Sequence, residues 1–210
     1  MTWWREGRLR RARSLRAVAA AAAVAVLAGA CSSGPSRPVV AVIGDSITFL
    51  AASDIRADLG ADGDQVLITG RIGYTAAQLA GDVTDFASHH PRVVLFEMGT
   101  NDVSQTIIGA TSVAAYERAV AGYRNQFGSA CLIATTVSSH RDTPALDQAA
   151  TAVNAWLHAN FRNVVEWDDY EWAQRQAGHV LVEPDLVHPN PDGQRALAGL
   201  DQAAVRSCRR

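Results

Sequence analysis

The chain has 210 residues, of which 48% are hydrophobic and 19% charged, a composition typical of a globular protein long enough for one domain with a substantial core. It contains no lysine, so all 19 basic residues are arginine. This excludes a Walker A phosphate loop, a Schiff-base enzyme and a pyridoxal phosphate site, because each needs a lysine amine. From Cys31 onward acidic residues outnumber arginines, which argues against nucleic-acid binding, since that requires a basic face.

Residues 1–30 carry the pattern of an export signal. An arginine-rich segment precedes an uncharged run from Ala17 to Ala30, which is shorter than the roughly 20 apolar residues of a bilayer span and fits the apolar region of a signal peptide. Small residues lead up to Cys31 and a Ser/Gly stretch, a pattern that resembles a bacterial lipobox, in which the cysteine is lipidated and becomes the mature N-terminus. We therefore predict a lipoprotein-type signal peptide at 1–30, a linker at 31–37 and the folded domain at 38–210. The expected location is the outer face of the cytoplasmic membrane, with an anchor at Cys31; ordinary secretion after cleavage before Cys31 is the alternative.

Strand and helix patterns alternate after the linker. Apolar runs bounded by turn residues predict five strands, at 39–43, 65–69, 92–98, 131–137 and 163–167. Between them, apolar residues recur at helical spacing, and only 168–187 shows no regular pattern. This alternation predicts an α/β fold with a parallel sheet and helices on both faces.

Two loops with polar residues follow the predicted first and third strands. Gly44-Asp45-Ser46 ends the first strand, and the loop Gly99-Thr100-Asn101-Asp102 ends the third. In a flavodoxin-like strand order, 2-1-3-4-5, strands one and three flank the switch point where ligands bind, so Ser46 and Asn101 would face each other across one cleft. We expect Asp45 and Asp102 to cap or brace these loops.

Near the end of the chain, Asp185 and His188 stand three residues apart. A carboxylate that holds one imidazole nitrogen leaves the other free to accept a proton, which a serine hydroxyl needs if it is to act as a nucleophile. Donors for the developing oxyanion are also required, and the amides of Ser46 and Gly73 and the side chain of Asn101 are the candidates.

These segments, in this order, resemble the four blocks of the SGNH (GDSL) hydrolase family. The resemblance spans the chain from Val39 to the last helix and implies a three-layer αβα sandwich with a five-stranded parallel sheet. It implies that Ser46 is the nucleophile, His188 the base and Asp185 the residue that orients it. It further implies an oxyanion hole formed by Ser46, Gly73 and Asn101, with Gly70 as the alternative to Gly73, and a reaction that needs no metal or organic cofactor.

The resemblance predicts a serine ester hydrolase that acts on a small-molecule or envelope acyl ester. Known activities of the family include lipases, thioesterases, arylesterases and carbohydrate acetylesterases. Two alternatives stay open: acyl transfer to an envelope sugar by the same residues, and a non-catalytic binding module on the same fold. The two remaining cysteines, Cys131 and Cys208, would meet an oxidising compartment after export, so a disulfide and two separate thiols are both open.

Overall fold

The computed structural model describes residues 37–209, which contain one sheet of five parallel strands. The strands follow the order β2-β1-β3-β4-β5, which confirms the predicted flavodoxin-like arrangement. Their bounds are Val39–Gly44 (β1), Gln65–Gly70 (β2), Val93–Glu97 (β3), Cys131–Thr135 (β4) and Asn163–Val165 (β5).

Helices cover both faces of the sheet and form the outer layers of an αβα sandwich. One layer consists of α1 and α7, which share a buried core with one face of the sheet; α2, α4 and α5 pack on the other face. The helices are Ser46–Ala61 (α1), Ala80–Ala87 (α2), Thr100–Thr106 (α3), Val113–Arg124 (α4), Pro144–Asn160 (α5), Trp167–Gln176 (α6) and Pro191–Ser207 (α7), with a 3₁₀ turn at Ala76–Leu79 before α2.

Strand β1 shows why the apolar runs are continuous. Ala41 and Ile43 belong to the core under α2, α4 and α5, whereas Val40 and Val42 belong to the core under α1 and α7. Successive side chains of a strand point to opposite faces, so a strand covered on both sides needs an apolar residue at every position. This central strand ends at Gly44, and α1 begins two residues later at Ser46.

Two segments differ from the sequence prediction. The stretch predicted to be irregular contains α6, and the segment predicted as a loop after β3 forms the seven-residue helix α3 from Thr100. Helix α6 is mostly polar and buries only Trp167, Asp168 and Glu171, so it lacks the apolar stripe by which helices are recognised. Helix α3 spans fewer than two full turns of 3.6 residues, too short for a periodic pattern to emerge.

A disulfide joins Cys131 at the start of β4 to Cys208 just beyond α7, with 6.0 Å between their Cα atoms. The bridge lies at the amino ends of the strands and fixes the last helix to the sheet. Cys31, with the predicted signal peptide and nearly all of the predicted linker, lies outside the described residues. Within 37–209, no helix is both long and apolar enough to cross a membrane.

Candidate active site

Ser46, His188 and Asp185 form a continuous line of hydrogen bonds at the carboxyl edge of the sheet. The Oγ of Ser46 lies 3.0 Å from His188 Nε2, and His188 Nδ1 lies 2.6 Å from Asp185 Oδ2. Ser46 is the first residue of α1, whereas the other two belong to the loop before α7, so the fold joins residues 142 positions apart. A serine, an imidazole and a carboxylate in this sequence of contacts have the geometry of a nucleophile, its base and the group that orients the base.

The turn from Asp185 to His188 holds the carboxylate in place. Asp185 Oδ1 accepts hydrogen bonds from the amides of Val187 and His188, each at 3.0 Å. Leu186 adopts a left-handed φ of +59°, a conformation that costs about 1–3 kcal/mol for a residue other than glycine. The turn places the Asp185 carboxylate against His188 Nδ1, while the other ring nitrogen, Nε2, faces Ser46 Oγ.

The charge of Asp185 favours one tautomer of the His188 ring. Partial burial acts to raise its pKa, but the hydrogen bonds from the His188 ring and from the two amides outweigh this effect, so the pKa of Asp185 is lowered. An ionised carboxylate next to Nδ1 keeps a proton on that nitrogen. Nε2 is then the free acceptor, and it is the atom that faces Ser46 Oγ.

Asp45 links the helix of Ser46 to the helix of Asn101. One of its carboxylate oxygens caps α1 by accepting from Ile47 N at 3.0 Å, and the other accepts from Thr100 N at 3.2 Å. The predicted bracing role of Asp45 is thereby confirmed. The side chain is wholly buried, and burial raises the pKa of Asp45 to about 7 against the opposing effect of these two amides.

Two of the candidate oxyanion donors, Asn101 and Gly73, belong to elements that contact each other. Asn101 Nδ2 donates to the carbonyl of Tyr74 at 3.0 Å, which brings its side chain against the turn that contains Gly73. That turn is closed by a hydrogen bond from Tyr74 N to the Arg71 carbonyl, and Gly73 has a φ of +79°, as the third residue of a type II turn requires. The Ser46 amide lies at the start of α1, where helix N–H groups have no intrahelical partner.

Gly70, the alternative to Gly73, lies elsewhere. It is the last residue of β2 and pairs with Gly44 of β1, and the backbone of Phe49 in α1 occupies the space that a Cβ would need. Its absent side chain therefore serves the close contact between α1 and β2. The geometry favours Gly73 as the donor from this loop.

Asp102 braces the loop that contains Gly73. Its Oδ2 accepts from Ala76 N at 2.8 Å, which ties α3 to the segment after Gly73, as predicted. Burial raises the pKa of Asp102 to about 6, although the Ala76 amide opposes the shift. The bond fixes the distance between the two elements that carry Asn101 and Gly73.

A pair of buried carboxyl groups behind Ser46 was not predicted. Glu97 at the end of β3 lies next to Asp201 of α7, and Thr48 Oγ1 donates to Glu97 Oε2 at 2.6 Å. Burial raises the pKa of both carboxyl groups, and the charge of Glu97 raises the pKa of Asp201 further. Two sequence signals point to this pair: an acidic residue in the apolar run of β3, and Asp201 among the apolar positions of α7.

Arg141 is a third residue that was not predicted from the sequence. Its side chain is buried, donates through Nε to the Ser138 carbonyl at 2.8 Å, and places Nη1 3.4 Å from Ser104 Oγ. Ser104 belongs to α3, so this guanidinium connects the loop after β4 to the helix that carries Asn101. Burial lowers the pKa of Arg141, while the charge of Asp45 opposes that shift.

This chain is similar to known proteins both in sequence and in fold. Residues 42–196 match the model of the GDSL-like Lipase/Acylhydrolase family. No protein with a curated description matches the chain in sequence.

Solved structures with the same fold include three of particular use. A lipase/acylhydrolase from Enterococcus faecalis is 18% identical, with a TM-score of 0.67 over 81% of this chain and 96% of that one. A member of the lipolytic protein G-D-S-L family from Veillonella parvula is 18% identical, with a TM-score of 0.68 over 80% of this chain and 98% of that one. The acetyl xylan esterase AlAXEase is also 18% identical, with a TM-score of 0.63 over 80% and 99% of the two chains. At this identity the likeness shows the fold.

Proposed function

Since the chain belongs to the GDSL-like lipase/acylhydrolase family, we propose that it is a serine ester hydrolase that cleaves carboxylic esters through an acyl-enzyme. The observation that carries the proposal is the hydrogen-bonded line from Ser46 through His188 to Asp185, with distances of 3.0 Å and 2.6 Å. This line supplies the nucleophile, the base and the orienting carboxylate that the chemistry requires.

In the first half of the reaction, Ser46 Oγ attacks the ester carbonyl carbon while His188 Nε2 takes the hydroxyl proton. The new Oγ–C bond and the negative charge on the former carbonyl oxygen define a tetrahedral intermediate, which the Ser46 and Gly73 amides and Asn101 Nδ2 stabilise. The C–O bond to the alcohol then breaks, and His188 returns its proton to the departing alkoxide. An acyl group remains on Ser46.

In the second half, water replaces the alcohol. His188 Nε2 takes a proton from the water, the resulting hydroxide attacks the acyl carbonyl, and the same donors stabilise the second intermediate. Collapse of that intermediate breaks the bond to Ser46 Oγ, His188 returns its proton to that oxygen, and a carboxylic acid is released. Asp185 stays ionised throughout and stabilises the imidazolium that forms in each half.

The experiment that tests the proposal is hydrolysis of p-nitrophenyl esters from acetate to palmitate by the full chain and by Ser46→Ala. Ser88→Ala is the matched control, because Ser88 is an exposed serine at the far end of α2. We expect turnover in the wild type and the control and none above background in Ser46→Ala. Equal turnover by Ser46→Ala would refute the assignment of the nucleophile.

We also propose that the protein is exported and anchored to the membrane through a lipid on Cys31. The support is the sequence pattern of an arginine-rich segment, a short apolar run and small residues before the cysteine. Palmitate labelling in a bacterial host should mark the wild type and not Cys31→Ser. A labelled Cys31→Ser protein, or a wild type released without lipid, would contradict the anchor.

A further inference from the structure

Large apolar side chains that are exposed to solvent cluster around the candidate active site. Within residues 37–209 there are eight such side chains, and six of them lie on or directly after the three segments that carry Ser46, Gly73 and Asn101. We call these six the apolar rim: Phe49, Leu50, Ile72, Tyr74, Ile107 and Ile108. Single exposed apolar residues are ordinary on a protein surface, but a cluster beside a nucleophile indicates a binding site for an apolar group.

Two residues of the apolar rim follow the nucleophile on α1. Phe49 and Leu50 are three and four residues beyond Ser46, so all three share one face of the helix. Helical side chains lean toward the N-terminus and cover the turn before their own Cα, which here is the turn that begins with Ser46. Phe49 is 52% exposed, although Ile47 and Thr48 before it are buried. An apolar surface therefore lies next to Ser46 on α1.

Ile72 extends this surface from the type II turn of the oxyanion loop. It occupies the second position of that turn, where proline is common, and it is 64% exposed. The turn is anchored to the end of β1, because Arg71 N donates to the Gly44 carbonyl at 3.0 Å. The backbone of Phe49 packs against Gly70 at the start of the same loop. The anchored turn thus holds Ile72 two residues beyond the point where the loop contacts Phe49.

The position of His188 determines which half of an ester meets the apolar rim. The carbon attacked by Ser46 Oγ carries the oxyanion, the leaving oxygen and the acyl chain. The leaving oxygen must lie next to His188 Nε2, the atom that faces Ser46 Oγ, in order to receive its proton. The oxyanion is directed to the donors Gly73 and Asn101. The acyl chain then takes the remaining direction, away from His188.

The surface on the His188 side has a different character. The loop that carries His188 exposes the acidic side chains of Glu183 and Asp185, while the apolar Leu181 is buried, and this loop contributes no residue to the apolar rim. An apolar acyl chain therefore finds apolar surface only on the side of the site away from the base.

We propose that the apolar rim binds the acyl chain of the substrate, so that the enzyme selects esters of apolar acyl chains longer than acetyl. The proposal rests on the ester hydrolase function proposed above. The reaction is still acyl ester plus water to carboxylic acid plus alcohol, and the proposal specifies the acyl group. Phe49 and Ile72 are then specificity-determining residues, because Phe49 lies one turn after Ser46 and Ile72 directly precedes Gly73.

The p-nitrophenyl esters of acetate, butyrate and hexanoate test the proposal because they share one leaving group. The readout is kcat/KM of the full chain, measured below the concentration at which the esters aggregate and corrected for spontaneous hydrolysis. A methylene group that leaves water completely contributes about four-fold, so one that lies on an open surface should contribute about two-fold. The added methylene groups from acetate to hexanoate should therefore raise kcat/KM by about ten-fold or more.

Two variants assign this preference to the apolar rim. Phe49→Ser and Ile72→Ser each remove an exposed apolar side chain, and each should lower the ratio of hexanoate kcat/KM to acetate kcat/KM about three-fold or more. Damage to the fold would instead lower both values alike. Val180→Ser is the matched control, because Val180 is an equally exposed apolar residue outside the rim, at 57%, and its replacement should leave the ratio unchanged.

The outcomes separate the two proposals. Ser46-dependent hydrolysis that does not rise from acetate to hexanoate would overturn the acyl site and leave the hydrolase function standing. An unchanged ratio in both Phe49→Ser and Ile72→Ser would also overturn it. So would a preference for hexanoate that emerges only when the ester aggregates, because the rim would then bind an interface and not a single chain. Absence of Ser46-dependent hydrolysis of all three esters would overturn both proposals.

Discussion

The buried carboxylate of Asp45 makes the stability of the fold depend on pH. Burial raises its pKa to about 7 in the folded protein, whereas an aspartate in an unfolded chain titrates near 3.9. Between these values the folded state holds a proton that the unfolded state has lost, so the free energy of unfolding falls as pH rises. At 1.36 kcal/mol per pH unit, the loss attributable to Asp45 is about 2 kcal/mol between pH 5 and pH 7, and it levels off near pH 8.

Asp45→Asn removes this dependence because an amide stays neutral throughout. The variant has one acceptor oxygen for the two amides of Ile47 and Thr100, so it should be less stable than the wild type by about 1–2 kcal/mol at pH 5. At pH 8 the wild type carries the full cost of the buried charge, and the variant should be more stable by about 1–2 kcal/mol.

Urea unfolding of the full chain at pH 5 and pH 8 measures both differences. Asp85→Asn is the matched control, since Asp85 is an exposed aspartate on α2 and its removal should shift stability equally at the two pH values. A stability difference between Asp45→Asn and the wild type that is the same at pH 5 and pH 8 would refute the reasoning.

Three more substitutions probe the site and the fold. Asn101→Ala should lower kcat about 10²–10³-fold with little change in KM, because its amide stabilises charge that exists only in the transition state; a rise in KM alone would contradict this role. Asp185→Asn should lower kcat about 10⁴-fold, because without the carboxylate the imidazole can carry its proton on Nε2, and that tautomer cannot act as the base. A maximum kcat equal to that of the wild type in the pH–rate profile would contradict this role. Cys131→Ser removes a disulfide between residues 77 positions apart and should lower the free energy of unfolding by about 4 kcal/mol, as measured by urea unfolding. The kcat should stay unchanged, because the disulfide lies at the opposite edge of the sheet from Ser46. Unchanged stability would show that Cys131 and Cys208 are not bridged in solution.

Much of the fold was predictable because the strands are buried on both faces. Residues such as Val40 and Ala41 face different cores, so each strand reads as an unbroken apolar run. The polar loops that follow β1 and β3 then locate the switch point of the sheet. The pairing of Asp185 with His188 was also predictable, because a turn can bring the side chains of residues three positions apart together.

Other features depend on contacts that a single sequence does not reveal. Helix α6 is held by Trp167 and by Asp168, whose carboxylate accepts from Ser139 N at 2.7 Å and from Asn154 Nδ2 at 3.1 Å; none of these bonds leaves a periodic signal. The positive φ of Leu186 was likewise hidden, because leucine has no preference for that conformation. Both are tertiary effects that override local propensity.

The carboxyl pair of Glu97 and Asp201 was predictable only in part. Each residue interrupts an apolar pattern, which marks it as unusual, but the partner of each becomes evident only when β3 and α7 are packed together. Thr48 then connects the pair to the helix of Ser46.

The central claim is that Ser46 is a nucleophile activated by His188, and covalent labelling with a fluorophosphonate tests it most directly. We expect one adduct per chain, located on Ser46 by peptide mapping, lost in Ser46→Ala and formed much more slowly in His188→Ala. An unlabelled wild type, or an adduct on another residue that persists in Ser46→Ala, would contradict the account.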